Sequence, residues 1–257
     1  MSVLEEIIAG VKEDLEIRRI SRQALDERMA AAPIPLNPFD FLKQDGVSVI
    51  AEVKRASPSK GALAQISNPA ALAKIYQDNG ASIVSVLTEG RRFSGSLEDL
   101  DAVRGRVSLP ILRKDFMVDE YQFLEARAHG SDLVLLIVAA LSLSQLEEFL
   151  LLTRELGMKA LVEVHTEKEL DLALATSAEI IGVNSRNLKT LDVDRRVFAN
   201  LLPKIPHNIF KVAESGISSR ADVEYAQIHG AQAVLIGEAL VRGSEPGATL
   251  RALMGQG

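Results

Sequence analysis

One short pattern recurs along this chain and limits what it can fold into: an amphipathic segment, a glycine, a short link, and a run of Val, Ile and Leu. Gly80, Gly130, Gly157 and Gly230 stand at such junctions, where a left-handed residue closes a helix without Cβ strain. The apolar runs are 48–53 (SVIAEV), 82–87 (SIVSVL), 110–113 (PILR), 133–138 (LVLLIV), 159–164 (KALVEV), 180–184 (IIGVN), 210–214 (FKVAE) and 232–236 (QAVLI). They are close to continuous, as in strands buried on both faces. Between them, PAALAKIYQDNG, EYQFLEARAHG, LSQLEEFLLLTRELG and ADVEYAQIHG carry apolar residues at helical spacing. Parallel strands need crossovers, so the repeat predicts an α/β fold, and eight repeats in 257 residues predict a closed (β/α)8 TIM barrel. An open doubly wound sheet is the competing arrangement. No G-x-G-x-x-G turn follows the first strand and no Walker A sequence occurs, which favours the barrel. Residues 1–46 read as an N-terminal helical extension packed on it, with a Pro-rich link, AAPIPLNPFD, and the expected unit is a single domain over 1–257.

Charge and composition exclude some functions. A net charge of −6 argues against a nucleic-acid or anionic-membrane surface, which needs clustered Lys and Arg, but leaves room for a local anion pocket. The absence of cysteine removes disulfides, Cys-ligated metals and a thiol nucleophile, and suits a cytoplasmic protein. The N-terminus lacks a basic start followed by an unbroken apolar run, so it does not read as a signal peptide. The longest apolar run, LVLLIVAAL, is short of the roughly 20 residues that span a bilayer.

In such barrels the active site lies at the C-terminal ends of the strands, and polar residues gather there. The first strand ends in Glu52 and Lys54, two apart and therefore on one face. The second runs into Thr88 and Glu89, the third into Arg113, Lys114 and Asp115, the fifth into Glu163 and His165, the sixth into Asn184, Ser185 and Arg186, and the seventh into Glu214 and Ser215. Glu163 and Glu214 are flanked by apolar or small residues, and an unpaired buried carboxylate costs several kcal/mol. Lys54 and Lys114 are the expected partners across the mouth, giving coupled groups suited to proton transfer. A purely structural ion-pair cluster would satisfy the same electrostatics.

SPSKG at 57–61, together with Gly216 and Gly237 after the seventh and eighth strands, points to phosphate, since backbone N–H groups bind anions at this position in such barrels. Either glycine could also serve only as a tight turn. His129 and His229 precede helix-ending glycines and read as structural, His207 lies in a loop, and His165 is expected in a supporting or packing role. No spacing of His or carboxylates suggests a metal site.

The segments IAEVKRASPSKG, LTEGRRFSGS, ILRKDF, LVEVH, IGVNSRNL, VAESGI and LIGEAL, with LLIVAAL at the fourth strand, are similar in order to those of the indole-3-glycerol phosphate synthase family, over nearly the whole chain. The resemblance implies a lyase of tryptophan biosynthesis. It would close the ring of a small-molecule sugar-phosphate substrate, 1-(2-carboxyphenylamino)-1-deoxyribulose 5-phosphate, then decarboxylate and dehydrate it, with no cofactor. It makes Lys114 the acid that protonates the ketone oxygen and Lys54 the cation that holds the substrate carboxylate. Glu163 works with a lysine, either of the two, in the dehydration. Glu52 and Glu214 would position and tune the lysines, and Asn184 would orient a substrate hydroxyl or catalytic group. Arg186, Ser57, Ser215, Gly216 and Gly237 would hold the phosphate, while Phe116 and Leu135 receive the aryl ring. Two positions depart from many relatives: Ser185, expected to be tolerated, and Glu238, whose carboxylate is expected to turn away from phosphate. A Schiff-base aldolase using Lys54 or Lys114, and a non-catalytic sugar-phosphate binder, are alternatives on the same barrel.

Overall fold

The computed structural model describes residues 2–43, 45–188 and 190–256. Among them, eight parallel strands close into a barrel: β1 (Ser48–Val53), β2 (Ile83–Leu87), β3 (Ile111–Lys114), β4 (Leu133–Ile137), β5 (Lys159–Val164), β6 (Ile180–Asn184), β7 (Phe210–Glu214) and β8 (Ala233–Ile236). β8 pairs back onto β1, with Ser48 opposite Ala233. The crossover helices are α3 (Pro69–Asp78), α4 (Leu97–Arg104), α5 (Glu120–Ala128), α6 (Leu143–Glu155), α7 (Glu167–Leu174), α8 (Arg196–Leu201) and α9 (Arg220–Ile228). They follow two helices of the extension, α1 (Val3–Arg18) and α2 (Arg22–Ala31), and precede the short α10 (Glu238–Arg242) and the closing α11 (Pro246–Leu253).

Local chemistry explains where these elements start and stop. Asn68, Ser96, Asp119, Ser142, Thr166 and Ser219 cap the helices that follow them by accepting backbone N–H groups. The four junction glycines have φ between 73° and 103°, as the repeat required. Strand ends differ by a residue from the expectation. β2 and β8 begin at Ile83 and Ala233. β3 begins after Pro110, which has no N–H for the ladder, and runs on to Lys114. β4 stops at Ile137 because Val138–Ala140 winds into a 3-10 turn.

Strand alternation sorts the side chains into two cores. Val49, Ala51, Val84, Ile111, Val134, Val162, Ala213 and Val234 pack outward against the helices. Ile50, Ile83, Leu112, Leu133, Leu161, Ile180, Val212 and Leu235 fill the interior. Glu52, Lys114, Glu163 and Glu214 each stand two residues beyond an interior apolar residue, so the pleat turns all four inward at the barrel mouth.

The same alternation removes Arg113 from the mouth. Its guanidinium is fully buried between barrel and helices, donating to Thr88 Oγ1 (3.1 Å), Asp115 (2.9 Å), Glu125 (2.9 Å) and the Gln122 carbonyl (3.0 Å). Glu125 also receives Arg18 of α1 at 2.9 and 3.0 Å, which ties the extension to the barrel wall. From there α2 packs on α5, and Leu36 N–H donates to Asp132 at the start of β4. Phe39 meets Phe210 edge-on at 6.2 Å near the opposite end of the barrel.

Candidate active site

Lys114 is the centre of the mouth. Its Nζ lies 3.3 Å from Glu163 Oε2 and 3.8 Å from Glu214 Oε2, bringing β3, β5 and β7 together. On β1, Lys54 Nζ lies 3.4 Å from Glu52 Oε1. Lys114 thus meets both Glu163 and Glu214 across the mouth, whereas Lys54, expected to share that task, pairs with Glu52 of its own strand. Neighbouring glycines make room for the acids: a Cβ at Gly182 would collide with the Glu214 carboxylate, and one at Gly237 would lie 2.5 Å from Glu52 Oε1. Gly237 has no positive φ, so it is demanded here by a neighbouring side chain rather than by a turn.

The charges follow from burial and pairing. Burial alone would discharge Lys114, but Glu163, Glu214 and Glu52 outweigh it and hold the ammonium protonated well above its usual range. Burial would likewise raise Glu163. Lys114 overrides it, aided by His165 and by a hydrogen bond from Asn184, and keeps this carboxylate ionised. Glu214 goes the other way. It is 1% exposed, its oxygens have no hydrogen-bond donor among the described residues, and burial plus the nearby Glu163 push its proton affinity well above the carboxylate range. Beside Lys114 the site thus holds two carboxylates whose proton affinities are pushed in opposite directions, the separation that acid–base chemistry uses.

Two connected spaces meet at these residues. The inner cavity joins Lys54, Lys114, Glu163 and Asn184 to an apolar shelf that includes Phe93, Phe116, Leu135 and Ile137. Val3, Leu4 and Ile7 of α1 line it as well, so the extension roofs the mouth. The outer cleft is bordered by Lys60, Arg186, Ser215, Gly216, Gly237 and Glu238. Ser215 and Gly216 adopt consecutive left-handed conformations, φ 64° and 71°, which turn the loop after β7. Arg186 spans both spaces, donating to Ser59 Oγ at 3.1 Å and the Leu191 carbonyl at 2.9 Å.

Two details depart from the sequence reading. Ser57 lines the inner cavity, while Ser59 and Lys60 of the same loop border the cleft. Glu238 does not turn out of the cleft; its charge is met by Lys60 at 2.5 Å and Arg242 at 3.0 Å, and these cations together with Arg186 hold it ionised against the opposing effect of partial burial. His165 takes the supporting position expected of it, with Nε2 3.2 Å from Glu163 Oε1. Ser185 supports the β7 loop through a hydrogen bond to the Ser215 carbonyl at 3.1 Å. His129 pairs with Asp101 and His229 packs on Tyr225, both away from the site.

Phe93 and the α1 residues were not singled out from sequence. Phe93 lies in LTEGRRFSGS, where Glu89 folds the loop by accepting the N–H groups of Arg91, Arg92 and Phe93 at 3.0, 2.7 and 3.0 Å. That brings the ring within 5.4 Å of Lys54 Nζ. The apolar stripe Leu4, Ile7, Val11, Leu15 was a visible signal, but only of burial.

A family model described as indole-3-glycerol phosphate synthase matches residues 4–253. The chain belongs to that family. The indole-3-glycerol phosphate synthase of Mycolicibacterium smegmatis is 57% identical over 247 residues, 95% of this chain and 91% of that protein. That of Micrococcus luteus is 58% identical over 259 residues, 98% and 97% of the two chains. Among solved structures, 3-hexulose-6-phosphate synthase from Salmonella typhimurium superposes with a TM-score of 0.66 over 82% of this chain and 98% of its own, at 13% identity. At that identity the likeness is one of fold alone. Among the described residues no cluster of three or more His, Asp or Glu could hold a metal ion, and no helix is long and apolar enough to cross a membrane.

Proposed function

We propose that this chain converts 1-(2-carboxyphenylamino)-1-deoxyribulose 5-phosphate to indole-3-glycerol phosphate, with residues 1–46 working as part of the same unit. The observation that carries the assignment of roles is the position of Lys114, a charged lysine held between an ionised Glu163 and Glu214 and opening on an aryl-sized apolar cavity.

In the first stage a bond forms between the carboxylate-bearing ring carbon and the ketone carbon while Lys114 gives its proton to the ketone oxygen. The bond to the carboxylate then breaks, its electron pair restores the aromatic ring, and carbon dioxide leaves. Lys54, set beside Glu52, holds the departing carboxylate before that step. In the second stage a lysine protonates the leaving hydroxyl and Glu163 takes a proton from the adjacent carbon. Asn184, which borders the cavity with Glu163, orients a substrate hydroxyl or that base. Glu214 and Glu52 tune their lysines. The aryl ring lies on Phe116 and Leu135, and the phosphate reaches toward Arg186, Ser215, Gly216 and Gly237.

A Schiff-base route through Lys114 is disfavoured, because an amine nucleophile must be neutral and its carboxylates keep this one protonated. Mixing the protein with the substrate and following indole fluorescence tests the reading directly, and a chain with no Trp contributes little background. Lys114→Ala or Glu163→Gln should each cut turnover by a factor of about 10² or more while phosphate binding persists. Well-folded protein that makes no product would refute it, as would borohydride trapping of a substrate adduct on either lysine.

A further inference from the structure

The product of this reaction keeps the substrate's phosphate but has lost its carboxylate as carbon dioxide. Lys54 then has no anion to hold, and the phosphate end becomes the remaining charged grip on a molecule that must leave. Phosphate binding that is equally tight in substrate and product slows release without helping the chemistry. The outer cleft is not lined by cations alone. Lys60, Arg186 and Arg242 border it, and so does Glu238, the residue directly after Gly237. A carboxylate beside a phosphate site repels the ligand, and that cost calls for a physical reason.

Glu238 Oε1 receives Lys60 Nζ at 2.5 Å and Arg242 at 3.0 Å, and Arg186 is near enough to help keep it ionised. These cations differ in how they are held. Arg242 stands four residues on in the same short helix, so its contact with Glu238 is local. Arg186 is fixed by Ser59 Oγ and the Leu191 carbonyl. Lys60 comes from the tip of the loop after β1, where Ala56 and Ser57 pair with Ala62 and Gly61 and the chain turns through Gly61 at φ 63°. Its side chain is 44% exposed, and an exposed lysine–carboxylate pair is weak enough to be exchanged for another anion.

We propose that Glu238 is a built-in competitor for the phosphate: it occupies Lys60 in the empty cleft, yields that ammonium to the incoming phosphate dianion, and reclaims it as the product leaves. Arg242 stays with the carboxylate throughout, so Glu238 is not stranded without a cation while Lys60 is away. The exchange loosens the one charged grip that substrate and product share, and leaves untouched the lysines that act on the reacting atoms. It makes Glu238 a residue that sets phosphate affinity through Lys60. The proposal rests on the reading of the outer cleft as the phosphate end, given above.

Calorimetric titration with inorganic phosphate tests this without turnover. Glu238→Gln should tighten phosphate binding by about fivefold, and KM and the inhibition constant of indole-3-glycerol phosphate should fall in step. A cycle with Lys60→Met separates competition from mere screening. If Glu238 competes, Lys60→Met weakens phosphate binding more in the Glu238→Gln chain than in the wild type, because only there is the lysine uncommitted. A loss seen in the wild type that vanishes in Glu238→Gln means that Lys60 only screens a repulsive carboxylate, and overturns the proposal. So does a phosphate affinity within about twofold of wild type in Glu238→Gln. Wild-type protein that binds no phosphate overturns the phosphate end of the cleft and the competition together. Wild-type protein that binds phosphate and follows the cycle, but forms no indole product, overturns the reaction alone.

Discussion

Replacing Lys114 by Met removes a charge but keeps most of the volume, and so isolates the electrostatics of the mouth. In the wild-type protein the pairing and Lys114's own desolvation largely offset each other. The variant leaves Glu163, 1% exposed, without its lysine. Burial of this kind raises a carboxyl pKa by about 3 units, and at 1.36 kcal/mol per unit the cost at neutral pH is about 4 kcal/mol. His165 remains at 3.2 Å and recovers part of that, leaving about 3 kcal/mol, at the low end of the 3–5 kcal/mol seen when buried pairs are broken.

The sign with pH is opposite in the two proteins. In the wild type the Glu163 pKa is depressed, so its contribution to stability is present above the unfolded value and is lost as pH falls. In Lys114→Met the pKa is raised, so the penalty is full at pH 8 and shrinks to under about 1 kcal/mol near pH 5, where the folded carboxyl is protonated. By thermal unfolding the variant should melt about 6–12 °C below wild type at pH 8, and by much less near pH 5. The double variant Lys114→Met/Glu163→Gln should regain most of the loss at pH 8. Equal losses at both pH values, or a double variant no more stable than the single one, would refute this account.

Gly237→Ala puts a methyl 2.5 Å from Glu52 Oε1 and should break the Glu52–Lys54 pair, cutting turnover by about 10² while circular dichroism stays unchanged. Arg18→Ala leaves Glu125 with Arg113 as its one side-chain partner among the described residues and loosens α1, so stability should fall by about 1–2 kcal/mol in denaturant titrations, with KM raised because α1 lines the cavity. Arg91 pairs with Glu13 and Asp14 on the surface, and Arg91→Ala should leave the melting temperature unchanged at physiological salt.

Much of this protein is set by local sequence. The pleat has a period of two, so Glu52 and Lys54 share a face wherever the strand lies, and the helix–glycine–strand repeat specifies parallel connections before any tertiary contact forms. Glu163 and Glu214 could likewise be marked as acids in apolar company that must find cations. What the residues did not contain is which cation each acid finds, since that depends on barrel closure and register between segments some 50 residues apart. Only the closed barrel brings Lys114 to 3.3 Å from Glu163 and leaves Glu214 without a hydrogen-bond donor among the described residues, which shifts the proton affinities of two similar glutamates in opposite directions. Arg113 and Lys114 look alike at the end of one strand, yet alternation sends one into the wall and the other into the site. The amphipathic pattern of α1 required a buried face but did not name its partner. The tertiary structure decided that it would be the barrel mouth, because the apolar rim there is what remains uncovered once eight helices and strands have packed on one another.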